Sequence, residues 1–106
     1  MTDVVLVLTT HPAAGAEDLA RTLVERRLAA CVQLLPGARS VYRWQGAIET
    51  AEEVRLEIKT GSESLQALRE ALVELHPYDV PEMVVLPVSG GLPAYLDWVR
   101  ASATQE

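Results

Sequence analysis

Residues 30–59 read ACVQLLPGARSVYRWQGAIETAEEVRLEIK, and the fold turns on them. Ala30 to Leu35 reads as a strand. Pro36-Gly37 interrupts it, and Ser40 to Trp44 resumes it. Proline and glycine inside a strand mark an edge, a bend or a bulge. Gln45-Gly46 signals a turn. Beyond Glu49 to Glu53, the residues Val54, Leu56 and Ile58 alternate with Arg55, Glu57 and Lys59. That period of two is the signature of a strand with one wet face.

On the N-terminal side, Val4-Val5-Leu6-Val7-Leu8 is a short unbroken apolar run, expected as a strand buried on both faces. His11-Pro12 and Gly15 end it. Ala16, Leu19, Ala20, Leu23 and Val24 then fall on one helical face. Acids come early in that segment and bases late, as the helix dipole favours. On the C-terminal side, Ser62 is expected to cap a helix carrying Leu65, Leu68, Leu72 and Leu75. Pro77 stops it and forces His76 toward extended backbone. Met83 to Leu86, flanked by Pro81 and Pro87, reads as an edge strand. Pro93 suits the first turn of a last helix through Leu96 and Val99, and Ala103 to Glu106 reads as a frayed tail.

The order is strand, helix, strand, strand, helix, strand, then one more helix. The fold class is therefore α+β: a ferredoxin-like βαββαβ unit with an extra C-terminal helix. Right-handed crossovers place the first and third strands in the middle of the sheet. The chain of 106 residues makes one domain, 1–106.

The second and third strands are long, about 14 residues each against a typical 5–6. Such a strand spans about 45–50 Å, whereas a compact 100-residue domain is only about 33 Å across. The hairpin must fold at Pro36-Gly37 or project. A projecting edge invites pairing with another chain. Val41, Tyr42 and Trp44 on that arm would otherwise be wet. A head-to-tail contact of this kind has to close into a ring.

Bulk properties point the same way. The composition is 49% hydrophobic without phenylalanine, rather apolar for a domain that buries only about 60–65% of its unfolded surface. A charge of −6 and a pI near 4.8 make nucleic acid and anionic membranes poor partners. A divalent cation is a better one. Cys31 is the single cysteine, so intrachain disulfides are excluded and a reducing, cytoplasmic setting fits. Val4 to Leu8 is too short for a signal segment or a membrane span.

Several motifs then carry a resemblance. Glu25-Arg26-Arg27-Leu28-Ala29-Ala30-Cys31-Val32 resembles the helix-to-strand junction of the CutA, or divalent-cation-tolerance, family. Ser40-Val41-Tyr42-Arg43-Trp44-Gln45-Gly46 resembles its hairpin tip, and Ile58-Lys59-Thr60 the end of its third strand. His76-Pro77-Tyr78-Asp79-Val80-Pro81-Glu82 resembles its signature segment, and Leu86-Pro87-Val88 with the Tyr95 to Trp98 neighbourhood its C-terminal end. The likeness runs from about Val4 to Val99. It implies a homotrimer with a long projecting hairpin, assembled like the PII signalling proteins that bind small ligands between subunits. It also implies tolerance to divalent metals, chiefly copper, and no catalytic activity.

Metal candidates are His76, Cys31 and His11. Imidazole and thiolate suit copper. The bland alternatives are a helix-end histidine, a buried small hydrophobe and a solvated loop residue. His11 meets His76 if the end of the first strand and the end of the second helix share one side of the sheet. Copper-binding relatives look to use a cysteine at the end of the first strand and paired histidines before the Pro-Tyr. Thr9 and Leu75-His76 stand there in this chain. Trp44, Lys59, Tyr78, Glu82 and Trp98 match family positions clustered at the inter-subunit cleft. They serve either a small-ligand pocket or the interface itself. Glu49, Glu52 and Glu53 read as a solvated hairpin face, with weak hard-cation binding as the alternative. No nucleophile elbow, His-Glu-xx-His or phosphate loop is present. Three functions remain: a metal-binding trimer, a PII-like small-ligand module, and a trimeric scaffold.

Overall fold

The computed structural model describes residues 2–104. Gln105 and Glu106 of the expected tail lie outside them. Eight-residue β1 (Val4–His11) leads into α1 (Ala16–Glu25), then β2 (Cys31–Trp44) and β3 (Ala47–Gly61). A 3-10 turn at Ser62–Ser64 precedes α2 (Leu65–Leu75), β4 (Val84–Pro87) and α3 (Pro93–Ser102). The sheet order is β2-β3-β1-β4, with all neighbours antiparallel. β1 and β3 are central and β4 is an edge, as the crossover rule requires.

Two helices cover one face of this sheet. Val5 and Val7 of β1 and Val54, Leu56 and Ile58 of β3 pack against Leu19, Leu23, Leu68 and Leu72. Leu23, Leu56, Ile58, Leu68 and Leu72 are fully buried. Each such side chain contributes about 1.5–3 kcal/mol by leaving water. Thr60 closes this layer; its hydroxyl, fully buried, donates to the Leu28 carbonyl at 2.8 Å.

The other face is mostly open. Alternation turns Leu6, Leu8, Lys59, Glu57, Cys31 and Gln33 to it. Leu6 pairs with Leu86 and Leu8 with Val84 on β4. Only α3 lies on this side, where Leu96, Val99 and Ala103 pack on Val4 and Ala30 at one end. β1 is thus buried on one face and half-covered on the other, not buried on both, because one chain has no second layer of helices to lay over it.

The hairpin is as long as expected, with 14 residues in β2 and 15 in β3. Its register shifts between Leu35 and Ala38, so Pro36-Gly37 forms a bulge rather than a break. Gln45 and Gly46 both have positive φ, 50° and 82°, the geometry that closes a two-residue hairpin turn. The outer arm is exposed from Val41 to Thr50, and it stretches the chain to 45 Å.

Two local expectations fail. Ser62 caps nothing; the chain first makes the 3-10 turn, and no side chain caps α2. Ala103 is not frayed. It is buried, and its carbonyl accepts a hydrogen bond from Ser64 at 2.7 Å. A sequence window of one helix contains neither partner of that contact.

Candidate functional site

The end of β1 and the end of α2 do meet. The His11 and His76 ring centroids lie 4.9 Å apart, and the Tyr78 ring meets His76 at 4.7 Å, tilted by 55°. Gly15, at φ 90°, starts α1 directly against the His11 ring. A Cβ there would sit 3.2 Å from the ring's Cε1.

Both nitrogens of His76 are committed. Nε2 lies 2.6 Å from the Thr10 carbonyl oxygen, which only accepts, so Nε2 carries the proton. Nδ1 accepts the Tyr78 backbone N–H at 3.0 Å. His11 Nδ1 lies 2.7 Å from the Pro12 carbonyl, which places the proton on Nδ1 and leaves Nε2 with a lone pair.

Glu53 joins this cluster and was not anticipated in it. It is buried, 7% exposed, while Glu49 and Glu52 are exposed. Its carboxylate accepts from Ser40 at 2.6 Å and from the Tyr78 hydroxyl at 2.8 Å. Burial pushes the Glu53 carboxyl up, but the hydrogen bonds from Ser40, Tyr78 and Thr10 and the nearby His76 outweigh it and hold the group below its usual range. Tyr78 moves the other way. Burial first, then the hydrogen bond and charge of Glu53 and the neighbouring Tyr42, raise the phenol to about 12. Two acids sharing one hydrogen bond are thus driven apart, one held ionised and one held neutral.

Cys31 is elsewhere. It pairs with Lys59, whereas His11 pairs with Val54. Five residues of β3 separate the two rows, about 17 Å along the strand. Among the described residues no group of three or more His, Cys, Asp and Glu is placed to hold a metal ion. A copper site built from His76, Cys31 and His11 of one chain therefore does not fit. Two of its donors face each other with one free nitrogen between them, and the third lies at the far end of the sheet.

The five cleft candidates divide. Lys59 and Trp98 come together through Tyr95, which the sequence pattern alone left unassigned. The Lys59 ammonium lies 5.7 Å from the Tyr95 ring centroid, and the Tyr95 and Trp98 centroids are 5.5 Å apart. Gln33 accepts a hydrogen bond from Lys59 at 3.1 Å. Tyr78 belongs to the histidine cluster. Trp44 sits exposed at the hairpin tip, and Glu82 is exposed before β4. No described helix is long and apolar enough to cross a membrane.

Comparison with known proteins agrees with this architecture. The family model for "CutA1 divalent ion tolerance protein" matches residues 4–102. A protein of Pectobacterium atrosepticum named divalent-cation tolerance protein CutA is 54% identical over 101 residues, covering 94% of this chain and 92% of its own. The crystal structure of CutA from Xylella fastidiosa superposes with a TM-score of 0.94 at 48% identity, over 97% of this chain and all of that one. A PII-like protein CutA from Nostoc sp. PCC 7120 superposes with a TM-score of 0.91 at 36% identity, over 96% and 99% of the two chains.

Proposed function

This chain belongs to the CutA1 divalent ion tolerance family, and from that premise we propose that it serves cation tolerance as a binding protein, not a catalyst. In this reading residues 1–106 form one domain of a closed cytoplasmic homotrimer. A single cysteine without a partner supports the reducing setting. The observation that carries the assembly is the open face of the sheet. Leu35, Val84, Leu86, Tyr95 and Trp98 are each at least 40% exposed there or beside it. They adjoin half-buried Leu6 and Leu8, and the hairpin arm adds exposed Val41, Tyr42, Trp44 and Ile48. A contiguous apolar face of this kind marks an interface. The family likeness supports three subunits, and Trp44, Lys59, Tyr78, Glu82 and Trp98 then border the clefts between them.

A small ligand in those clefts, in the PII-like manner, is the first reading, supported by the grouping of Lys59, Tyr95 and Trp98. Copper or another divalent cation is the second, supported by the family's divalent-ion-tolerance description and by the His11 Nε2 lone pair beside His76. A tight metal site would draw donors from two subunits, with the His11 Nε2 lone pair and Cys31 available. Native mass spectrometry under copper titration separates the two. A trimer holding copper loosely and without fixed stoichiometry is expected. One tightly held copper per subunit, lost in His11→Ala, overturns that ordering. A monomer overturns the assembly.

A further inference from the structure

Lys59 is the only lysine in the chain. It stands on the open sheet face near the end that α3 covers, half-buried, on a protein of net charge −6. Five arginines (Arg21, Arg26, Arg39, Arg55 and Arg100) have a carboxylate at ion-pair distance. Among the described residues none reaches Lys59. Among the described residues the one hydrogen-bonding partner of its ammonium is the neutral amide oxygen of Gln33. An ammonium has three donors, so two are left without an acceptor among the described residues. The Gln33 amide turns its oxygen to Lys59, which leaves its NH2 to donate beside the ammonium.

The surroundings are flat and largely apolar; the carboxylate of Glu57 on the same face is taken by Arg55 at 3.3 Å. Leu6 pairs with Lys59 across the strands. Tyr95 sits below the ammonium, held by cation–π attraction, and Trp98 stacks on Tyr95 at an interplanar angle of 34°. Both rings are exposed, 40% and 47%. A cation with spare donors beside an open aromatic shelf matches one ligand shape: an anionic head on a flat unsaturated body.

We propose that Lys59, Gln33, Tyr95 and Trp98 form a binding subsite for a small aromatic carboxylate. The carboxylate takes the free donors of Lys59 and the Gln33 amide, and the ring lies on Trp98. The negative field of the whole protein disfavours polyanions here, and a single charge spread over a carboxylate meets the site best. The subsite rests on the cleft reading above, because it lies on the face where subunits meet.

The test is fluorine NMR of the full chain with three probes: 4-fluorobenzoate, its uncharged counterpart 4-fluorobenzamide, and acetate as competitor. 4-Fluorobenzoate is expected to bind about tenfold more tightly than 4-fluorobenzamide, the share of a charge-assisted contact at a half-exposed site. Acetate displaces it only weakly, since it lacks the ring. Lys59→Met loses the preference for the charged probe, Lys59→Arg keeps it, and Trp98→Leu weakens both fluorinated probes alike. Equal binding of benzoate and benzamide, or unchanged benzoate binding in Lys59→Met, overturns the proposal. A neighbouring subunit's own carboxylate is the rival occupant. No benzoate binding to the wild type, with a trimer that dissociates in Lys59→Met, would identify it and also overturn the proposal. Subunit count on the same samples separates the two readings. A trimer that binds no probe refutes the subsite alone, and a monomer that binds benzoate refutes the assembly alone.

Discussion

The Glu53–Tyr78 pair gives the sharpest prediction, tested by Glu53→Gln. The substitution keeps shape and an accepting oxygen, and its new NH2 faces hydroxyls of Ser40 and Thr10 that can accept. Only the charge goes. Burial and Tyr42 continue to raise the Tyr78 phenol, while both contributions of the Glu53 charge vanish. The phenol therefore drops from about 12 but stays above the usual value of about 10. Phenolate absorbance titration reads this, with Tyr78→Phe identifying the tyrosine that moves. A stability signature follows from the sign of the shift. A raised acid favours folding below its unfolded pKa, and that share is lost as pH rises from about 10 to about 12. Removing the charge narrows this window. At neutral pH the charge-assisted bond contributes about 1.5–3 kcal/mol, and the lower end applies because Tyr78 is 38% exposed. A wild-type Tyr78 phenol titrating near 10, or one unmoved by Glu53→Gln, would refute the argument.

The remaining expectations are simpler. Glu53 is held below its usual range, so its contribution is complete above the ordinary glutamate value and fades as pH falls through the lower folded one; acid unfolding curves of wild type and Glu53→Gln should converge at low pH. Thr60→Val leaves the Leu28 carbonyl unpaired in a dry site and should cost about 1–3 kcal/mol per chain in denaturant titration. Gly15→Ala forces a Cβ onto His11 at positive φ and should cost more than about 1 kcal/mol, visible as a lowered Tm. Leu8→Glu places a charge on the open sheet face and should reduce the subunit count in light scattering while far-UV dichroism stays unchanged.

Much of the fold could be read before the structure because its signals are local. Alternation at Val54, Leu56 and Ile58 and the leucine stripe from Leu65 to Leu75 each report on one element. The crossover rule then orders the strands without distances. The site was harder. Glu53 shares its strand face with Arg55 and Glu57, so its pattern reads as wet. What buries it is Tyr78, 25 residues away, delivered by the turn after Pro77. Gln33 and Tyr95 were overlooked for the same reason: each matters only through Lys59, on a different strand or helix. His76 was singled out for its chemistry, but its two ring nitrogens answer to Thr10 and to its own loop. A lone residue type cannot announce that its valences are already used.

The bulge at Pro36-Gly37 has an arithmetic side. Leu35 faces Arg55 and Ala38 faces Glu53, so β2 spends three steps where β3 spends two. Nothing lies within 4 Å of a side chain imagined at Gly37. The extra step is therefore a matter of count, not of contact. A deletion of one residue here would leave every pair on either side matched and every side chain on its present face, and would only straighten the hairpin. Where the arm points is written in chain length. Two proteins of this kind could share every interface residue and still fail to assemble together if they differed by one residue at this joint.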